Sequence, residues 1–223
     1  MINTEYRDVN GHILFDFNNQ SILLDTGSPI SMGEGQFELA GLFYELQNNY
    51  MGIDNKVISK YLDEDFDVLL GMDILQNYDL KVDPIQKRIE IASNIPVKAG
   101  IPSLKIQQIM SIPVVNIDVD HITHRLVFDT GARLSYIKSD FIGDSESVGI
   151  LEDFYPGIGE FETDIFLKEI SLFDENLSFE FGVLPDEIEI LLQLIGVNGI
   201  IGTYLLNYYG FVLSNSRLYL FKN

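Results

Sequence analysis

The sequence predicts an all-β protein built from two related halves. Three observations predict it: short apolar runs punctuated by Gly, Asn and Pro, a nine-residue segment that occurs twice, and a matching order of elements after each copy. The first copy is Leu23-Leu24-Asp25-Thr26-Gly27-Ser28-Pro29-Ile30-Ser31 and the second is Val127-Phe128-Asp129-Thr130-Gly131-Ala132-Arg133-Leu134-Ser135. They lie 104 residues apart in a chain of 223.

Each copy follows a candidate hairpin. Ile13–Phe17 turns at Asn18-Asn19 and returns through Ser21–Leu24, while Val114–Val119 turns at Asp120-His121 and returns through His124–Phe128. Downstream, Leu69-Leu70-Gly71-Met72-Asp73-Ile74-Leu75 matches Ile200-Ile201-Gly202-Thr203-Tyr204-Leu205-Leu206, an apolar pair and Gly before a short helix. Each half closes on an apolar-alternating strand, Leu80–Ile91 or Phe211–Phe221. Pro96, Gly100 and Pro102 mark Ser93–Ser103 as a connector, so the expected division is residues 1–98 and 99–223. Gly202 lies 73 residues after Asp129 whereas Gly71 lies 46 after Asp25, so the second half carries an insertion. Part of it, Leu151–Phe166, reads as a long hairpin with Pro156-Gly157-Ile158-Gly159 at its tip. In the first half, residues 54–62 read instead as a helix with Val57, Ile58 and Tyr61 on one face.

Composition narrows the partners. Hydrophobic residues make up 46% of the chain, which suffices for a core. A net charge of −20 repels phosphate backbones and anionic lipid headgroups, so nucleic acid and membrane surfaces are not expected partners. Without cysteine there is no disulfide framework, thiol nucleophile or zinc-thiolate site. No apolar stretch approaches the roughly 20 residues of a membrane helix, and Met1–Glu5 lacks the basic and apolar character of a secretory signal. The expectation is a soluble, cytoplasmic protein.

Two carboxylates at equivalent repeat positions, each on a Gly turn after an apolar strand, suit one chemistry. If the halves pack about a pseudo-twofold axis, Asp25 and Asp129 become neighbours that share one proton. The ionised member takes a proton from water while the protonated member polarises a carbonyl. Thr26 and Thr130 can lock the turns to each other, Gly27 and Gly131 permit close approach, and Gly71 and Gly202 can pass beneath the turns. Ser28 can hydrogen-bond Asp25 where Ala132 cannot serve Asp129. A single Asp-Thr-Gly arises by chance in about 5% of chains this long; two in matched context are far rarer.

These motifs resemble the aspartic peptidase family, nearest to bacterial retropepsin-like proteins with two fused halves, over almost the whole chain. The resemblance implies a bilobal pepsin-like acid-protease fold: two β-barrel-like lobes with short helices and a cleft between them. It also implies an endopeptidase with Asp25 and Asp129 as catalytic pair, a peptide or protein substrate, no cofactor or metal, and activity without a dimer. The active-site turns would comprise Thr26, Gly27, Ser28, Thr130, Gly131 and Ala132. The tip with Phe154, Tyr155, Gly157, Ile158 and Gly159 resembles a substrate-covering flap, here in the second half rather than the first. The residues that brace retroviral dimers are replaced by Pro29, Arg133, Met72 and Thr203.

Other readings are weaker. A catalytically silent pepsin-fold module that binds peptide or protein is the alternative. Gly157-Ile158-Gly159 lacks the third glycine of a phosphate loop. The acidic run Asp63–Asp67 has Val68 and Ile74 where a calcium loop needs Gly and Glu. Asp118, Asp120, His121 and His124 straddle a turn and read as an exposed hairpin tip. Ser31 and Ser135 have no activating His and read as partners within the turns. Ile30 and Ile137 are candidates to line specificity pockets.

Overall fold

The computed structural model of the chain describes residues 1–155 and 158–223. Strands dominate, accompanied by the helices α1 (Asn55–Leu62), α2 (Met72–Leu75) and α3 (Asp186–Leu194). Among the described residues, no helix is long and apolar enough to cross a membrane.

Both halves use the same turn chemistry. Asn18-Asn19 and Asp120-His121 adopt left-handed backbone at both central positions (φ 52° and 60°, 47° and 66°). That twist matches the flanking strands, and Asn and Asp adopt it at low cost. A second pair of turns, Asn10-Gly11 and Met110-Ser111, is also left-handed throughout. The register makes these two equivalent, because Leu14 pairs with Leu23 just as Val114 pairs with Val127.

The repeat sequences form the same arrangement twice. Gln20–Leu24 runs parallel to Val68–Leu70, which pairs antiparallel with Met32–Gly33. In the second half Ile122–Phe128 runs parallel to Gly199–Ile201, which pairs antiparallel with Ser135–Ile137. Leu23, Leu24, Leu69 and Leu70 are buried, as are Val127, Phe128, Ile200 and Ile201. A strand hydrogen-bonded on both edges and covered on both faces reads as a continuous apolar run rather than an alternation.

One sheet crosses the sequence midpoint. Its order is Ser103–Lys105, Arg217–Lys222, Tyr209–Leu213, Asp79–Asp83, Arg88–Ala92, Ile2–Val9, His12–Phe17, Gln20–Leu24, Val68–Leu70, Met32–Gly33. The join is Tyr209–Leu213 against Asp79–Asp83, through Phe211↔Val82 and Leu213↔Leu80. The expected closing strands are therefore closing hairpins, Asp79–Asp83 with Arg88–Ala92 and Tyr209–Leu213 with Arg217–Lys222. A second sheet is built from residues 107–201 of the second half. The main apolar core draws on both halves, with Phe128 and Phe211 edge to face at 4.9 Å.

Three local expectations are corrected. Val57 is exposed, and α1 buries the expected Ile58 together with Leu62, the i, i+4 pair that faces inward. His124 is not on an exposed tip but buried, 4.4 Å from the Phe141 ring. Ile137, a candidate to line a specificity pocket, is buried in the core.

Candidate active site

Asp25 and Asp129 each stand one residue beyond a buried strand, and their amides extend the pairing to the carbonyls of Leu70 and Ile201 (3.1 and 3.0 Å). The turns that follow meet face to face. The Thr26 hydroxyl donates to the Phe128 carbonyl (2.9 Å) and accepts from the Thr130 amide (2.9 Å). Reciprocally, the Thr130 hydroxyl donates to the Leu24 carbonyl (3.1 Å) and accepts from the Thr26 amide (3.0 Å). Both threonines are essentially without solvent exposure, so these four bonds form where water cannot replace them.

This interlock sets each carboxyl against the glycine of the opposite turn, close enough for the charge of Asp129 to act on Asp25. A Cβ on Gly27 would lie 2.2 Å from the Asp129 carboxyl carbon, and one on Gly131 would lie 2.6 Å from that of Asp25. Glycine is therefore required on steric grounds at both positions. Asp25 Oδ1 accepts from the Gly27 and Ser28 amides (2.9 Å each), and Asp129 Oδ1 accepts from the Gly131 amide (2.7 Å). Burial holds the Asp25 carboxyl well above the usual range, with the charge of Asp129 adding to it. Burial also raises Asp129. Two adjacent acids in such a place retain a proton between them.

The second layer repeats as well. Ser31 Oγ accepts from the Gly71 amide (2.9 Å) and Ser135 Oγ from the Gly202 amide (3.0 Å). The two glycines pass beneath the turns, where a Cβ would come within 2.2 Å of the Ile30 carbonyl oxygen or 2.4 Å of that of Ala132. Gly71→Ala is thus expected to cost about 3 kcal/mol or more of stability, read by thermal unfolding. Ser28 departs from expectation: its hydroxyl donates to the Ile30 carbonyl (2.7 Å), so only its amide serves Asp25.

Above the carboxyls lies a cavity of about 740 Å³. One wall carries Leu23, Met32, Ile58 and Leu69, the other Tyr136, Leu184, Ile188 and Ile200. Ile30 is absent from the lining and packs against the first-half cluster beneath it.

The expected hairpin forms from Ser147–Tyr155 and Gly159–Leu172, with Tyr155 opposite Gly159. Gly157, named among the flap residues, lies outside the described residues. The hairpin reaches across to the first half, where Phe154 stacks on Tyr61 of α1 (centroids 3.6 Å apart, planes 18° apart) and joins the cluster of Leu23, Ile58 and Leu69. Ile158 lines the cavity, and Gly159 faces the Tyr61 hydroxyl. Tyr155 lines it too. Burial pushes its phenol up to about 12, with the charges of Asp129 and Asp25 contributing. An aromatic pair is worth about 0.5–1.5 kcal/mol beyond area burial. Phe154→Ala should therefore raise the open population, and with it the rate of nicking within residues 147–166 by an added protease, roughly 2- to 10-fold.

Sequence reasoning missed a charged group beside Asp129. Asp153 near the tip of the hairpin pairs with Arg133 (3.4 Å) and accepts from the Tyr136 hydroxyl. His12 stands next to them in the cavity lining. The signal for His12 was the repeat itself: its register counterpart is Ile112.

No protein-family model and no curated protein matches the chain. Among solved structures it is similar to one described as a retropepsin-like aspartic protease from Rickettsia conorii, at 14% identity and a TM-score of 0.39, over 53% of this chain and 89% of that one. A likeness at that level carries no argument about activity.

Proposed function

We propose that this chain is an aspartic endopeptidase that hydrolyses peptide bonds with a water activated between Asp25 and Asp129. The observation that carries the reading is the pair of interlocked Asp-Thr-Gly turns, whose carboxyls both line a cavity of about 740 Å³. The chain then divides into two lobes, residues 1–98 and 99–223, with the cleft between them. The ionised carboxylate removes a proton from water as its oxygen attacks the scissile carbonyl. The protonated partner donates to the carbonyl oxygen, giving a tetrahedral diol. Collapse returns a proton to the amide nitrogen, the C–N bond breaks, and the dyad regains its single proton. Thr26 and Thr130 keep the carboxyls in register, Gly27, Ser28 and Gly131 supply amides that hold them, and Ala132 leaves the second turn without a side-chain hydroxyl. The hairpin with Phe154, Tyr155, Ile158 and Gly159 covers the substrate, and apolar side chains seat against the two walls. Both aspartates come from one chain, so a monomer is complete.

Hydrolysis of a mixed peptide library between about pH 3 and 7 tests the reading, with Asp25→Asn and Asp129→Asn as controls. Cleavage by the native chain, lost in both variants, supports it. Cleavage that persists in either variant excludes the dyad, and peptide binding without cleavage at any pH favours the silent module.

A further inference from the structure

The two halves differ beside Asp129. The Asn10-Gly11 turn of the first half docks on the second. The Gly11 carbonyl accepts from the Thr203 hydroxyl, and a Cβ on Gly11 would meet that of Arg133 at 2.7 Å. On its other side Asn10 Nδ2 donates to the Leu62 carbonyl at the end of α1 (3.3 Å). Among the described residues the equivalent turn, Met110-Ser111, makes no such contact, and Met110 is 72% exposed. Docking carries His12, the next residue, to the Asp129 turn, whereas the counterpart position holds the apolar Ile112.

His12 Nδ1 lies 3.3 Å from the Val9 carbonyl, and the ring lines the cavity together with Gly131 and Asp129. Carbonyls only accept. A neutral imidazole offers one N–H and an imidazolium two, so protonation adds a donor beyond the one that Val9 receives. The charged groups around the ring are Asp129 and Arg133 from the second turn and Asp153 from the hairpin, with the Tyr136 hydroxyl closing on Asp153. Arg133 and Asp153 form an ion pair, which leaves His12 as the cation whose charge Asp129 feels.

We propose that His12 is a positioning residue of the dyad: as imidazolium beside the second turn it biases the shared negative charge toward Asp129. Asp129 then acts as base toward water and Asp25 as the acid toward the carbonyl. Burial lowers the His12 pKa, with Arg133 adding to the lowering and Asp153 and the Val9 carbonyl opposing it. Its cationic form therefore belongs to acid conditions.

This rests on the peptidase reading for its kinetic consequence, though not for the coupling itself. In His12→Gln, which keeps a donor but no charge, the acid limb of kcat/KM should move up by about one pH unit, since the cation that favours ionised Asp129 is gone. His12→Ile should shift it equally, which shows that charge and not the lost bond is responsible. Independently of turnover, the His12 imidazole followed by nitrogen-15 NMR should titrate at lower pH in Asp129→Asn than in the native chain. A limb unmoved in both His12 variants overturns the proposal. So does an imidazole pKa indifferent to Asp129→Asn. If the chain hydrolyses nothing, the peptidase reading falls while the imidazole titration still decides the coupling.

Discussion

Asp25→Asn is expected to abolish peptide hydrolysis while raising the melting temperature at pH 7. The first effect follows from losing the acid and base exchange of the dyad, a loss of at least about 10³-fold. The second follows from linkage. The folded protein holds the Asp25 carboxyl above its unfolded value, mainly through burial and then through the charge of Asp129. A group raised in this way favours the fold below its unfolded pKa of about 4 and disfavours it progressively as pH climbs through the folded value. Asn removes that disadvantage, still accepts from the Gly27 and Ser28 amides, and donates to Asp129. Each unit of elevation corresponds to about 1.4 kcal/mol, roughly 3–5 °C for a chain of this size. Melting curves of both proteins from about pH 3 to 8 should converge at the acid end and separate toward neutrality. A variant less stable than the native chain at pH 7 would contradict the buried, proton-sharing pair.

Thr26→Val should be the most damaging single substitution that leaves side-chain volume nearly unchanged. The hydroxyl serves two buried backbone groups of the other half, the Phe128 carbonyl and the Thr130 amide. Valine leaves both unsatisfied, at about 1–3 kcal/mol each. The expected loss is roughly 2–6 kcal/mol by denaturant unfolding, and hydrolysis should fall with it because the carboxyls lose their alignment. Thr26→Ser keeps the hydroxyl and should stay within about 1 kcal/mol of the native chain.

The parts legible in the sequence were those written twice or locally. Asp-Thr-Gly followed by an aliphatic residue and Ser determines a turn, its carboxylate position and the hydroxyl that receives the Gly71 or Gly202 amide, and no distant information is needed. Asn18-Asn19 and Asp120-His121 set their hairpins because few residues accept left-handed backbone at two successive positions. What escaped was non-local. The pairing of Tyr209–Leu213 with Asp79–Asp83 leaves no periodicity in either segment. Ile137 and Ile30 follow Asp-Thr-Gly at short range, but whether an aliphatic side chain faces the cavity or the core depends on strand pairing. The Ser28 hydroxyl had a nearer acceptor in the Ile30 carbonyl than in the carboxylate. His12 escaped because a lone histidine after a turn carries no spacing signal, and its partners, Asp129, Arg133 and Asp153, are more than a hundred residues away.

The sheet that passes from one half into the other has a mechanical consequence. A ladder of backbone hydrogen bonds between Tyr209–Leu213 and Asp79–Asp83 resists the sliding and gaping that a loose tether would allow. The foundation beneath the carboxyls is therefore stiff, and the freedom to open falls to the roof, which rests on the far bank through the stack of Phe154 on Tyr61 and the apolar cluster behind it.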